Sequence, residues 1–221
     1  MSHTVHLWGR FSSLNVRKVV WTAQELGIPF QRTDAGMAFG ITTTREYQRK
    51  NPNALVPLME DGDFVLWESN VIVRYLCARY GKAQCLYPDD LTARFDAERW
   101  MDWQQTTFNA AGGPAFLHLV RTAPEARIPA LIQASVDKTE PLLKMLNAHL
   151  AQRPYLGGEA FGMADVPLGC EMHRWWGMRT TQFEAVGVQR QEIQAFPHLH
   201  RWYGQLQQRP AARGVLDLAL S

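Results

Sequence analysis

Residues 51–69, NPNALVPLMEDGDFVLWES, constrain the fold more than any other part of the chain. Two apolar runs flank Asp61-Gly62, and an Asp-Gly pair tolerates the positive φ angles that a two-residue hairpin turn requires. The hairpin is entered through Val56-Pro57. Proline has no N–H for a sheet ladder, so it stands at an edge or ahead of the paired residues. Two arrangements satisfy this. A cis peptide at a tight bend would turn the Val56 N–H and C=O outward, free to pair with an extended peptide; a trans-proline would simply open an edge strand. Glu68-Ser69 closes the stretch at a helix start, where either side chain can cap and the backbone N–H groups attract a carboxylate.

The flanking elements set this hairpin in a larger pattern. Thr4–Trp8 reads as a strand and Leu14–Leu26 as a helix, stopped by Gly27 with Pro29 two residues on. Phe30–Thr33 is a second strand, followed by a loop over Asp34–Thr44 and a short helix over Arg45–Arg49 that ends before Asn51-Pro52. Ser69–Tyr80 carries Val71, Ile72, Tyr75 and Leu76 on one face and ends at Gly81. The order is βαβ, then αββα: a crossover helix makes the first two strands parallel, and the hairpin adds antiparallel ones. Beyond Thr92 strand signals nearly vanish. RFDAERWMDWQQTTFNAA (94–111) predicts a helix that breaks near Gly112-Gly113-Pro114. Ile128–Leu150 predicts a long helix, and shorter ones begin near Met163, Phe183 and Pro197. The chain therefore divides into an α/β domain over 1–81, a linker over 82–91 and an all-α domain over 92–221.

With 221 residues, 46% hydrophobic and 20% charged, there is ample material for a core. Twenty-three basic against twenty-one acidic residues leave a net charge of +2, too small and too evenly spread for a nucleic-acid or membrane surface. No apolar run is long enough to span a bilayer, and the N-terminus lacks a basic segment followed by an apolar one. Cys77, Cys85 and Cys170 form no CxxC, which fits a reducing compartment, and Cys77 falls in an apolar run as a small core residue. The histidines show no HExxH spacing; His198 and His200 read as a solvated helix face. No metal site is expected.

GRFSSLNVRKVVW (9–21) is the remaining feature. Ser12, Ser13 and Asn15 stand between the first strand and the first helix, where they can cap the helix or handle a ligand's reactive atom.

The strand, helix, strand, Val-Pro hairpin ending in Glu-Ser, and helical second half, in this order, resemble the cytosolic glutathione transferases over essentially the whole chain. The resemblance implies a thioredoxin-like α/β domain (βαβαββα) that binds glutathione, followed by an all-α domain. It implies a cis Val56-Pro57 bond, Val56 backbone pairing with the cysteinyl unit, and Glu68-Ser69 holding the γ-glutamyl carboxylate. Leu55 stands where relatives often have Lys or Gln, and the loop 33–44 lacks the basic residue that relatives use for the glycyl carboxylate; Arg45 or loop amides would compensate. FGMADVPLG resembles the family's helix-starting box, with Asp165 kept and Gly162 at the cap, a loss of a few tenths of a kcal/mol.

Ser13, Arg17 and Val19 fit the spacing of serine-type members. Asn15 matches the asparagine of bacterial nu-class proteins, and Ser12 aligns with the beta-class cysteine, so a mixed-disulfide route through that position is closed. Ser13 is then the hydroxyl donor to the sulfur, with Asn15 assisting or competing. A free thiol titrates near ~8.5, so lowering it by about two units takes roughly 2.7 kcal/mol, within reach of one charge-assisted hydrogen bond at a helix N-terminus. Asp102 matches a position from which beta-class relatives reach the partner subunit's glutathione, and Asn109 matches that class's active-site histidine. Trp103 and Phe108 line an apolar electrophile pocket or fill helix–helix core; Trp175-Trp176 read as core or pocket wall. The implied protein is a cytoplasmic homodimer that directs the glutathione thiol at a small hydrophobic electrophile, or at a disulfide or peroxide, without metal. The alternative is a transferase-like binding or interaction protein without turnover.

Overall fold

A computed structural model describes residues 4–83 and 85–220; Gln84, within the expected linker, lies outside them. Four short strands form one mixed sheet in the order β2-β1-β3-β4. They are β1 (Val5–Trp8), β2 (Phe30–Thr33), β3 (Leu58–Asp61) and β4 (Phe64–Trp67). β1 runs parallel to β2, with Val5 opposite Phe30, and antiparallel to β3, with Trp8 opposite Leu58. β3 and β4 are the expected hairpin, Asp61 facing Phe64 across the turn and Gly62 at φ 64°. The Val56-Pro57 peptide is cis and precedes β3, which is an inner strand; the edge-strand alternative does not hold.

Helix α1 (Leu14–Glu25) buries Val16, Val19, Val20 and Ala23, its expected apolar face. It packs on α3 (Ser69–Tyr80) and on α7 (Asp165–Gly177), so it lies between the sheet and the helical part of the molecule. The contact with α7 is close because Gly169 has no side chain: a Cβ there would stand 2.8 Å from the Trp21 ring and from a Leu206 methyl. Gly9, at φ 150° directly after β1, is equally confined. Its Cβ would meet Val16 at 2.4 Å and Val56 at 3.2 Å, so glycine lets strand, helix and the cis-proline bend converge. The short α2 (Arg45–Lys50) is capped by Thr44, whose hydroxyl accepts from the Tyr47 N–H.

The helical part contains α4 (Leu91–Trp103), α5 (Asn109–Phe116), α6 (Pro129–Leu150), α7, α8 (Thr180–Glu184) and α9 (Pro197–Gln207). One expectation fails here. The chain does not break at Gly112-Gly113-Pro114; it stays helical from Leu91 to Arg121, with wide π turns at Gln104–Phe108 and Leu117–Arg121. Ser135 on α6 supplies the reason. Its hydroxyl accepts from the Ala115 N–H at 3.2 Å and donates to the Ala111 carbonyl at 2.5 Å, bridging the rung disturbed beside the proline. α8 begins at Thr180, three residues ahead of Phe183, because the Arg179 N–H is capped by Gln182.

Asp165 shows what the helix-starting box does. Its carboxylate is fully buried and accepts from the Leu156 and Gly162 N–H groups and the Trp202 indole, at 2.7 to 3.0 Å. It ties the loop before α7 to α9, a folding role. Cys77 is buried, with its thiol pushed up to about 12 by desolvation, as a core residue should be.

Candidate functional site

The Val-Pro bend is rigid on one side and open on the other. The Leu55 carbonyl accepts from the Tyr47 hydroxyl at 2.7 Å and from the Asn51 amide at 2.8 Å. Asn51 also accepts from the Asn53 N–H at 3.1 Å, closing an Asx turn. Neither the Val56 N–H nor its C=O has a partner among the described residues. Main-chain groups are nearly always paired in a folded protein, so an unpaired N–H and C=O at a fixed bend suit an extended peptide ligand.

Facing this bend is the start of α3. Glu68 sits at φ 73°, a strained setting for a residue with a side chain and one that recurs at ligand sites. Its carboxylate accepts from Gln105 at 3.1 Å. Ser69, the first residue of α3, is buried and donates to the Asn15 side-chain oxygen at 3.2 Å. Bend, α3 start, Asn15 and Gln105 enclose a cleft of about 220 Å³ that contains Leu55, Val56, Pro57, Glu68 and Ser69.

A second cavity, of about 370 Å³, opens on the other side of Asn15. Ser12, Ser13, Leu14 and Asn15 at the α1 N-terminus form one wall; Asn109, Phe116 and Leu117 form another. Asn15 lines both spaces. Ser13 is the α1 N-cap, yet its hydroxyl caps nothing. The Ser12 carbonyl accepts from Arg121. Cys170 borders this cavity, but burial pushes its thiol to about 12, and His173 is held down at about 4 by burial and by Arg17. Both are neutral at pH 7, so neither offers a thiolate or a cation.

The structure divides the other predicted residues. Asn109 lines the larger cavity and accepts from Arg174 at 2.9 Å. Trp103 and Phe108 do not line it: Phe108, at the end of the π turn, is fully buried and packs on the half-buried Trp103 ring at 5.7 Å. Asp102 lies outside both spaces, 68% exposed and ion-paired to Arg74 at 2.5 Å. Trp175 is buried core. The residues missed are Tyr47, Asn51 and Gln105 at the cleft and Arg10, Arg121 and Arg174 at the cavity, where Arg17, noted for its spacing from Ser13, joins them. Of these only Asn51 carried a local signal, the turn-forming Asn-Pro-Asn; the arginines are scattered along the chain and meet only in the fold.

A buried polar chain runs inward from Arg174 on the wall of the larger cavity. Lys18 on α1 donates to Gln104 at 2.8 Å and to Asn70 at 3.2 Å. Gln104 donates to Glu171 at 2.7 Å, and Glu171 pairs with Arg174 at 2.7 Å. Burial lowers the Lys18 ammonium to about 8, with Glu171 pulling the other way. Lys18 thus stays largely charged at neutral pH, and the chain locks α1, α3 and α7 together beside the site.

Comparison with known proteins places this geometry. Residues 3–78 match the family model for the glutathione S-transferase N-terminal domain, and residues 129–205 match that for the C-terminal domain. The Escherichia coli protein named glutathione S-transferase GstB is 39% identical, covering 98% of this chain and all of its own. The chain belongs to the glutathione S-transferase family. The theta class glutathione S-transferase from Xanthomonas axonopodis pv. citri, solved with glutathione bound, is 41% identical at a TM-score of 0.89, covering 99% of this chain and all of that one. Its apo form is 37% identical at a TM-score of 0.80, with 98% of both chains covered. As a glutathione S-transferase, the chain has the family's small mixed sheet followed by a helical domain, and no group of described residues could hold a metal ion.

Proposed function

We propose that this protein is a glutathione transferase in which the smaller cleft holds the tripeptide and the larger cavity receives the electrophile. The observation that carries the reading is Asn15, which borders both spaces at the N-terminus of α1. Glutathione supplies the thiol nucleophile when bound. Val56 pairs with the cysteinyl backbone through its free N–H and C=O, and the α3 N-terminus at Glu68-Ser69 attracts the γ-glutamyl carboxylate. Ser69 accounts for the Asn15 oxygen, which leaves the Asn15 amide N–H as donor. That amide and the uncommitted Ser13 hydroxyl hold the sulfur as thiolate, with the α1 N-terminus adding favourable potential. The proton leaves to solvent, and no side chain bordering the cavity acts as a base.

Asn51 and Tyr47 act as positioning residues, since they fix Leu55 and hence the direction of Val56. Assembly as a cytoplasmic homodimer belongs to the same proposal; exposed Phe64 and Phe95 offer apolar surface for pairing, and Asp102 then faces the partner. The test is retention on immobilised glutathione, elution by free glutathione, and turnover of an activated aryl chloride. Retention without turnover on aryl halide, disulfide and peroxide substrates would overturn the catalytic reading. Light scattering that gives a monomer would overturn the dimer.

A further inference from the structure

The larger cavity is expected to take an apolar electrophile, yet among the described residues its walls carry four arginines and no carboxylate side chain. Two of the four are accounted for internally. Arg174 is matched by Glu171, which is almost fully buried, and Arg17 spends its donors on the carbonyls of Phe11, Val215, Leu218 and Ala219. Arg10 and Arg121 are not. The Arg10 guanidinium makes no hydrogen bond or ion pair among the described residues, and its Nε is shut off from solvent. Arg121 donates to the Ser12 carbonyl and to the Met37 thioether, a weak acceptor, and its Nε is likewise buried and unpaired. The two cations repel each other: Arg10 is held below its ordinary value by burial and by Arg121. Unpaired buried donors on two like charges are costly unless an anion joins them.

Resting on the transferase reading, we propose that Arg10 and Arg121 form an anion subsite, so that the electrophile carries a carboxylate or a similar oxyanion. The subsite is separate from the γ-glutamyl contacts, because neither arginine borders the cleft at Val56 and Glu68; both lie instead against the loop at Gly36 and Met37. Phe116 and Leu117 face the apolar body of the substrate, and Arg121 stands over the Phe116 ring at 5.4 Å. The acid is oriented by the two guanidiniums, groups whose planar fork suits carboxylate contact. The reacting carbon is thereby held towards Asn15. In the reaction with an aryl chloride, the sulfur forms the new bond to carbon, chloride departs with the bonding electron pair, and the thiol proton goes to solvent.

The experiment compares a chloronitrobenzoate with the chloronitrobenzamide of the same substitution, so that only the charge changes. For the unaltered protein kcat/KM should be at least tenfold higher for the benzoate after division by the uncatalysed rates. Arg10→Met and Arg121→Met should each lower the benzoate value about tenfold while changing the benzamide value less than about twofold, with KM for glutathione unmoved. Arg10→Lys and Arg121→Lys should recover part of the benzoate activity, and unchanged benzamide turnover certifies the fold of each variant. Equal rates for the two electrophiles, or equal losses on both in the variants, would overturn the subsite and leave the transferase reading standing. A rise in KM for glutathione alone would assign the arginines to the tripeptide and overturn it too. If neither compound is turned over, the transferase reading fails by itself. Calorimetric titration with the two compounds then decides the subsite: benzoate-selective binding lost in Arg10→Met supports it, and equal binding overturns it.

Discussion

The thiol's acidity is where the site's geometry becomes a measurable number. Two donors are available at the α1 N-terminus, the Asn15 amide, turned by Ser69, and the Ser13 hydroxyl, which caps nothing. A hydrogen bond to a charged partner is worth about 1.5–3 kcal/mol net, and each 1.36 kcal/mol moves a pKa by about one unit. Taking the lower value for each donor, the bound thiol sits about two units below its free value of ~8.5, near ~6.5. At pH 7 about three quarters is then thiolate. Removing one donor returns the pKa to about 7.5 and the thiolate to about a quarter; removing both leaves roughly 3%. Ser13→Ala and Asn15→Ala should therefore each lower the rate at pH 7 about threefold, and the double variant about twenty-fivefold, with the deficits vanishing above about pH 9. The assay is the ultraviolet absorbance of the bound thiolate against pH, alongside the pH profile of kcat/KM. Unchanged titration in both single variants would refute the assignment. A shift in only one would assign the sulfur to that residue.

Other consequences are equally open to measurement. His173 is buried and held down at about 4, whereas an unfolded histidine takes its proton near ~6.5. Its stabilising contribution is present above ~6.5 and lost as pH falls towards 4, about 3 kcal/mol in all, so His173→Gln should flatten the fall in urea midpoint over that window. Asp165→Ala leaves two backbone N–H groups and the Trp202 indole without an acceptor and should cost about 3–5 kcal/mol in chemical denaturation, against a change of under about twofold in KM for glutathione. Ser135→Ala removes the bridge across the Ala111–Ala115 rung and should cost about 1–3 kcal/mol, with faster amide exchange at Ala115.

The strands, α1, α3 and the hairpin were legible because their signals are local, alternation and an Asp-Gly turn, whereas the proline left cis and trans open and only the family resemblance implied cis. The helix through Pro114 was not, since its continuity depends on Ser135, which lies twenty-one positions further on and arrives only by packing. Val56, Pro57, Glu68 and Ser69 were legible as one cleft because they flank a single hairpin. For the lining of the larger cavity the sequence left two readings open. Trp103 and Phe108 fit wall or core equally by their chemistry, and the π turn after Trp103 shifts the face that Phe108 presents, which no sequence period announces. The cationic walls escaped notice because +2 is a net figure, and charges of both signs average out along a chain while segregating in space.

Arg17 has a consequence for how such a protein can diversify. It grips residues 215–219 by their main-chain oxygens alone, and Leu220 at the end of that tail reaches the cavity. The latch itself reads only backbone, although Val215 and Leu216 are also fixed by burial in the core. Residues 218–220 can therefore be rewritten, altering what the cavity admits, while the anchorage persists and the proposed tripeptide cleft, built from residues 51–69 with Asn15 and Gln105, is left untouched. Part of the selectivity is thus carried by a stretch of chain separate from the thiol's donors, and a library confined to residues 218–220 would sample new electrophiles on a constant thiol chemistry.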